Sequence, residues 1–160
     1  MALVTTREPF VPSDVEQAGG TPAKPLRFAG YAALFDRVDR GGDVIRKGAF
    51  ARAVAAGAER LPLLWQHDPA RPVGRIERIA EDSRGLRVIA RLSAAQAGRE
   101  AAALVAEGAL SGLSFGYRVR DGRPRSPRGG REISDLDLVE ISLVTFPMQP
   151  AARVHAVTEE

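Results

Sequence analysis

The chain has 160 residues, 44% hydrophobic and 27% charged, with 23 Lys and Arg against 20 Asp and Glu for a formal charge of +3. That length holds one core of ordinary size and not two, and the balance is that of a globular protein rather than a disordered or membrane one. Cysteine is absent and the only histidines are His67 and His155, which excludes disulfides, thiolate catalysis and cysteine-ligated metals and leaves no ligand cluster for zinc.

Residues 1–24 mix Pro, Gly, Ser and charge without a helical or strand period, and are expected to form a flexible arm ahead of a domain over residues 25–152. Within RFAGYAALF, Phe28, Gly30 and Ala32 alternate with Arg27, Ala29 and Tyr31, the pattern of a strand. The polar run DRVDRGGDV reads as a turn, and the alanine-rich stretch from Phe50 to Ala56, ended by Gly57, as a short helix. LPLLWQHDPARP is then an apolar strand with Leu63, Trp65 and His67 on one face and proline on both sides. VGRIERIAED and GLRVIARLS alternate apolar and charged residues about the turn Asp82-Ser83-Arg84-Gly85, which predicts a hairpin. AAQAGREAAALVAEGAL is the strongest helix pattern, with Gly108 available to cap it.

The stretch EGALSGLSFGYRVR follows as a helix end running into a strand, with Leu113, Phe115, Tyr117 and Val119 on one face and Ser114, Gly116, Arg118 and Arg120 on the other. Ser114 lies between Gly112 and Gly116, which admit close approach of a backbone or substrate; a serine between glycines also marks an ordinary turn. The arginine-, proline- and glycine-rich segment 121–132 is expected to be a mobile basic loop. ISDLDLVEISLVTFP returns as a strand with Leu138, Glu140, Ser142 and Val144 on one face, and residues 153–160 are expected to be a tail. No phosphate-binding glycine loop is present, and GLSFGY lacks the lysine and spacing that such a loop requires. Strands outnumber helices, which favours an α+β fold built on a mainly antiparallel β-barrel with packed helices.

Three polar residues stand out against these patterns: His67 at a strand end, Ser114 between glycines, and Glu140 in an apolar strand, where burial is costly unless the carboxylate is paired. A serine hydroxyl needs a base to become a nucleophile, imidazole is the usual base, and a carboxylate on the far ring nitrogen fixes its tautomer. The chain offers one candidate for each role, although spacing alone does not bring them together. Ser111 is the rival nucleophile and His155 the rival third member. Ser142 shares the face of Glu140 and can hydrogen-bond it.

The stretches FAGYAALFD, GDVIRKGAF, LLWQHDPARPVGRI, GALSGLSFGYRV and LVEISLVTFPMQPAA, in that order, are similar to those of the prohead (capsid maturation) proteases of tailed phages, relatives of the herpesvirus assemblins. The resemblance covers residues from about Arg27 to Ala152. It implies an assemblin-like fold, His67 as general base, Ser114 as nucleophile and Glu140 as third member, where assemblins carry a histidine. The implied function is a serine endopeptidase that cleaves the scaffold segment of the major capsid protein, and itself, inside an assembling procapsid of a phage or phage-derived particle in a bacterial host. The alternative is a non-catalytic assembly or scaffold-binding component that keeps the fold. No cofactor is expected. The partner is a capsid protein, and assemblin dimers leave room for a homodimer. Neither a membrane nor nucleic acid is an expected partner. No run approaches the roughly 20 apolar residues of a membrane helix, and MALVTTREPF lacks a signal-peptide pattern, so a cytoplasmic location is expected.

Overall fold

The computed structural model describes residues 25–159, so the expected arm at 1–24 lies outside the described residues. Eight strands and two helices follow in the order β1 (Leu26–Leu34), β2 (Val44–Ile45), α1 (Ala51–Ala56), β3 (Pro62–Trp65), β4 (Asp68–Glu81), β5 (Gly85–Leu92), α2 (Gln96–Ala106), β6 (Gly112–Pro124), β7 (Arg131–Val144) and β8 (Val154–Glu159). They form one mixed sheet with the path β2-β7-β3-β4-β5-β1-β8, and β6 pairs with β7. Most neighbours are antiparallel; β2 and β3 run parallel to β7.

The alternation read in β1 is realised, with Leu26, Phe28 and Ala32 buried. The β4–β5 hairpin also forms as its pattern dictates, closed where Asp82 Oδ1 accepts from Arg84 N and Gly85 N. Leu63, Val73, Leu86, Val88, Leu113, Leu136, Ile141 and Leu143 are shielded from solvent in the core, and Phe50 at the start of α1 packs edge-on against Phe115. Burying each such side chain contributes about 1.5 to 3 kcal/mol, so the inner sheet face is the main source of stability.

Three expectations need correction. The sheet is not closed into a barrel: the β6 end and the segment before β8 meet only through a bridge between Gly112 and Arg153, with Leu113 N donating to Ala152 O and Val154 N to Ser111 O. The expected tail is not free chain, because Val154–Glu159 form β8 against β1. The expected mobile loop is mostly ladder: Asp121, Gly122, Arg123 and Pro124 pair with Asp135, Ile133, Glu132 and Arg131, which leaves only residues 125–130 to turn the chain. The arginines there do not simply repel one another, since acids lie within reach, Asp137 of Arg120 at 2.6 Å and Asp43 of Arg131 at 2.8 Å.

Candidate active site

His67 does not extend the strand face of Leu63 and Trp65. Trp65 pairs with Asp68, and Gln66 and His67 between them form a two-residue hairpin loop with φ of 51° and 61°. Positive φ at both loop positions is the mark of a type I′ turn, ordinarily filled by Asn-Gly. Two residues with side chains in that region cost on the order of 1 kcal/mol or more each. Neighbouring bonds hold them there. Gln66 N donates to Leu143 O at 2.9 Å, Gln66 Nε2 donates to Thr145 Oγ1 at 2.8 Å, and Thr145 N returns a bond to Gln66 Oε1 at 3.1 Å. Strain stored in this way swings the imidazole off the strand and over β7.

Glu140 reaches the same point from below because β7 is bulged. Gly116 pairs with Glu140 but the next residue, Tyr117, pairs with Leu138, which leaves Val139 as the extra residue, half exposed. An extra residue inverts the alternation. Leu136 and Leu138 face the core before the bulge, Ile141 and Leu143 after it. Leu138 therefore does not share a face with Glu140, contrary to the simple alternation, while Ser142 does. Gly116 opposite is what admits the carboxylate: a Cβ there would lie 2.6 Å from Glu140 Oε1 and 3.1 Å from its Cγ. The sequence marked Gly116 as a place for close approach but not as the seat of Glu140.

The carboxylate is buried and doubly bonded. His67 Nδ1 lies 2.5 Å from Glu140 Oε1, and Ser142 Oγ donates to Glu140 Oε2 at 2.6 Å. The hydrogen bond to Glu140 raises the His67 pKa above that of ordinary imidazole, against the opposing effect of burial. With a carboxylate on Nδ1, the neutral ring carries its proton there and leaves the Nε2 lone pair free.

Ser114 sits directly opposite Ser142 in the β6–β7 ladder and so on the face that carries Glu140. Directly paired residues have Cβ atoms about 4.5 to 5.5 Å apart and diagonal ones about 7 to 8 Å, so Ser114 is adjacent to Ser142 and one diagonal step from Glu140. It is only 4% exposed; its hydroxyl bonds no other described residue, and since no solvent-shielded side-chain oxygen or nitrogen among them lacks a partner, that oxygen is left open to solvent. It borders a cavity of about 230 Å³ with Asp39, Asp43, Arg131 and Met148, while His67 and Glu140 border an open groove of about 630 Å³ walled by Pro62, Leu64, Pro69 and Pro72; Tyr117 lines both.

The rivals are placed elsewhere. Ser111 Oγ accepts from Arg153 Nη1 at 3.1 Å, and His155 lies on β8 with its ring 5.7 Å from that of Tyr31. Beside the site is a network that the sequence did not announce. Asp43 accepts from Arg131 Nη2 and Arg131 N, both at 2.8 Å, and from Tyr117 Oη at 3.2 Å. The Arg131 guanidinium holds the Asp43 carboxyl below the usual range, and burial pushes the Tyr117 hydroxyl up to about 12. No cluster of His, Cys, Asp and Glu suited to a metal occurs among the described residues, and no helix among them is long and apolar enough to cross a membrane.

Over residues 14–160 the chain matches the protein family described as caudovirus prohead serine protease. It is 33% identical over 133 residues to the prohead protease of Enterobacteria phage HK97. That alignment covers 81% of this chain and 59% of the phage protein, so the chain spans somewhat over half the length of that relative. Among solved structures it is similar to KSHV protease in complex with a hexapeptide phosphonate inhibitor, with a TM-score of 0.59 and 13% identity over 86% of this chain and 66% of that one. It is also similar to varicella-zoster virus protease, with a TM-score of 0.51 and 17% identity over 82% and 64% of the two chains. At such identities the likeness is one of fold.

Proposed function

The chain belongs to the caudovirus prohead serine proteases, and on that premise we propose that it is a serine endopeptidase with Ser114 as nucleophile, His67 as general base and Glu140 as the carboxylate that orients the base. The observation that carries this reading is the 2.5 Å contact of His67 Nδ1 with a buried Glu140 whose other oxygen accepts from Ser142, the residue paired with Ser114 across the β6–β7 ladder. Glu140 accepts the Nδ1 proton, so Nε2 is the nitrogen left to act. It takes the proton of Ser114 Oγ as that oxygen attacks the scissile carbonyl carbon, and Glu140 stabilises the imidazolium that results. The imidazolium then protonates the leaving amine as the carbon–nitrogen bond breaks, which leaves an acyl-serine. Water, deprotonated by the same nitrogen, hydrolyses the ester and restores the serine.

The proposed substrate is the scaffold segment of the major capsid protein, together with the protease chain itself, and the proposed setting is the interior of an assembling procapsid. Confinement there supplies a high effective concentration of substrate, which suits an enzyme of low intrinsic activity. A homodimer of the assemblin type belongs to the same proposal, supported by the fold likeness to the herpesvirus proteases.

The test is covalent labelling with a fluorophosphonate, followed by peptide mapping. Labelling of Ser114 that is lost in Ser114→Ala and kept in Ser111→Ala is the expected result. Labelling of Ser111, or none in a chain that cleaves co-expressed capsid protein, contradicts the assignment.

A further inference from the structure

We propose that Ser142 is a positioning residue of this site, whose hydroxyl sets the bearing of the Glu140 carboxylate on the imidazole and locks the turn that carries His67. The inference rests on the Ser-His-Glu reading above and adds a fourth group to it. Ser142 is 0% exposed in the most apolar part of β7, between Ile141 and Leu143, which are equally buried. A hydroxyl there is costly unless both its donor and its acceptor capacity are used. Both are used, and both on the site. His67 N donates to Ser142 Oγ at 3.1 Å, and Ser142 Oγ lies 2.6 Å from Glu140 Oε2.

The direction of each bond follows from chemistry. A backbone N–H can only donate, so Ser142 accepts from His67; an ionised carboxylate can only accept, so Ser142 donates to Glu140. The two carboxylate oxygens are thereby divided, Oε2 to Ser142 and Oε1 to His67 Nδ1. Rotation of the carboxylate is fixed by two donors rather than one. The same oxygen also ties the backbone of a residue at φ 61°, so turn and carboxylate keep a common reference. Arg118 is the other charged residue lining the groove, and it makes no bond to this cluster among the described residues.

The chain's two histidines make the test direct, because His155 serves as an internal control when the imidazoles are titrated by NMR. The full chain is compared with Ser142→Ala and with Ser142→Cys, which keeps the shape at a somewhat larger volume and replaces the hydroxyl by a weak donor. Expected in both are a His67 pKa that falls toward the ordinary imidazole value, an unchanged His155, and a fluorophosphonate kinact lowered roughly tenfold or more with KI unchanged. A lower melting temperature with wild-type His67 titration and wild-type kinact overturns the inference, since a merely structural serine gives that pattern. Glu140→Gln separates the two layers of the argument. If it reacts slowly while both Ser142 variants react normally, only the role of Ser142 falls; if it reacts and titrates like wild type, the Ser-His-Glu reading falls with it.

Discussion

At His67 the protonation state that helps the fold is not the one that helps the chemistry. Its pKa is raised in the folded chain by Glu140. The stabilisation from this pair is therefore full below the unfolded imidazole pKa and is lost as pH rises through the folded one. As the proposed general base, His67 works only when neutral, on the far side of that transition. The acid limb of a rate–pH profile should accordingly lie above the pH of ordinary imidazole titration. Glu140→Gln should move that limb down and slow acylation by orders of magnitude, because the tautomer is no longer fixed; an unmoved limb measured with fluorophosphonate refutes this. Gly116 supplies a second prediction at the same scale. A methyl group there would lie 2.6 Å from Glu140 Oε1, so Gly116→Ala should displace the carboxylate. Displacements of about 1 Å in such groups cost roughly 100-fold in rate. The variant should fold and label slowly, and labelling at the wild-type rate would count against it. His67, Ser114 and Glu140 were legible as candidates because each stands out against its local pattern. Their geometry was not, because Gln66 and His67 lack the Asn-Gly signature of a type I′ turn.

Among the elements, patterns of strict period were readable and interrupted ones were not. The β4–β5 hairpin and α2 follow from alternation and alanine content, but the bulge at Val139 leaves no mark in the sequence, since LDLVEISLV reads equally well without it. β8 was missed because its side chains are almost all exposed and it is held by the ladder to β1 rather than by apolar periodicity. Ending the chain after Ala152 should therefore be harmful rather than neutral. It removes that ladder and the bond from Val154 N to Ser111 O, and at about 1 kcal/mol per backbone bond a loss of roughly 2 to 4 kcal/mol is expected in urea unfolding. A truncated chain as stable as the full one would show the ladder to be dispensable. The outer end of the β6–β7 ladder, within residues 121–132, was expected to be loop for a different reason: it carries the prolines and glycines of a loop, while Arg131 is tied to Asp43, far away in the sequence. Arg131→Ala should lower stability by about 2 kcal/mol at neutral pH by leaving a buried carboxylate without its cation. Because the Asp43 pKa is depressed, the contribution is present above the ordinary carboxylate pKa and lost as pH falls through the folded value. Wild type and variant should then converge in acid, and a gap independent of pH would exclude the ion pair as its source.

Across the whole molecule, β6, which lies off the sheet path, is drawn against β1 and the segment leading into β8 at one seam. Gly30 on β1 packs there against the β6 side chain Leu113 and the backbone of Arg153 and Val154; a Cβ on it would lie 2.6 Å from Leu113 Cδ1 and 2.5 Å from Arg153 O. Gly30→Ala should wedge the seam apart, lowering the unfolding midpoint by an amount worth about 1 to 3 kcal/mol. Slower labelling of Ser114, next along β6, should accompany it. A normal rate in a destabilised variant would mean that the seam supports the fold without setting the site.

The seam also imposes an order in time. Leu113, the neighbour of Ser114, bonds through its amide to the carbonyl of Ala152, and β1 is flanked by β8. During synthesis the ribosome delivers β1 and the Ser114 strand well before the segment that joins them, and that join has high sequence separation, the kind of contact that forms slowly. A nascent chain thus carries His67, Ser114 and Glu140 before it has residues 152–159, which complete the seam beside Ser114. Under the proposed reading the catalytic groups are made before the strand that closes the seam, and the site is completed last.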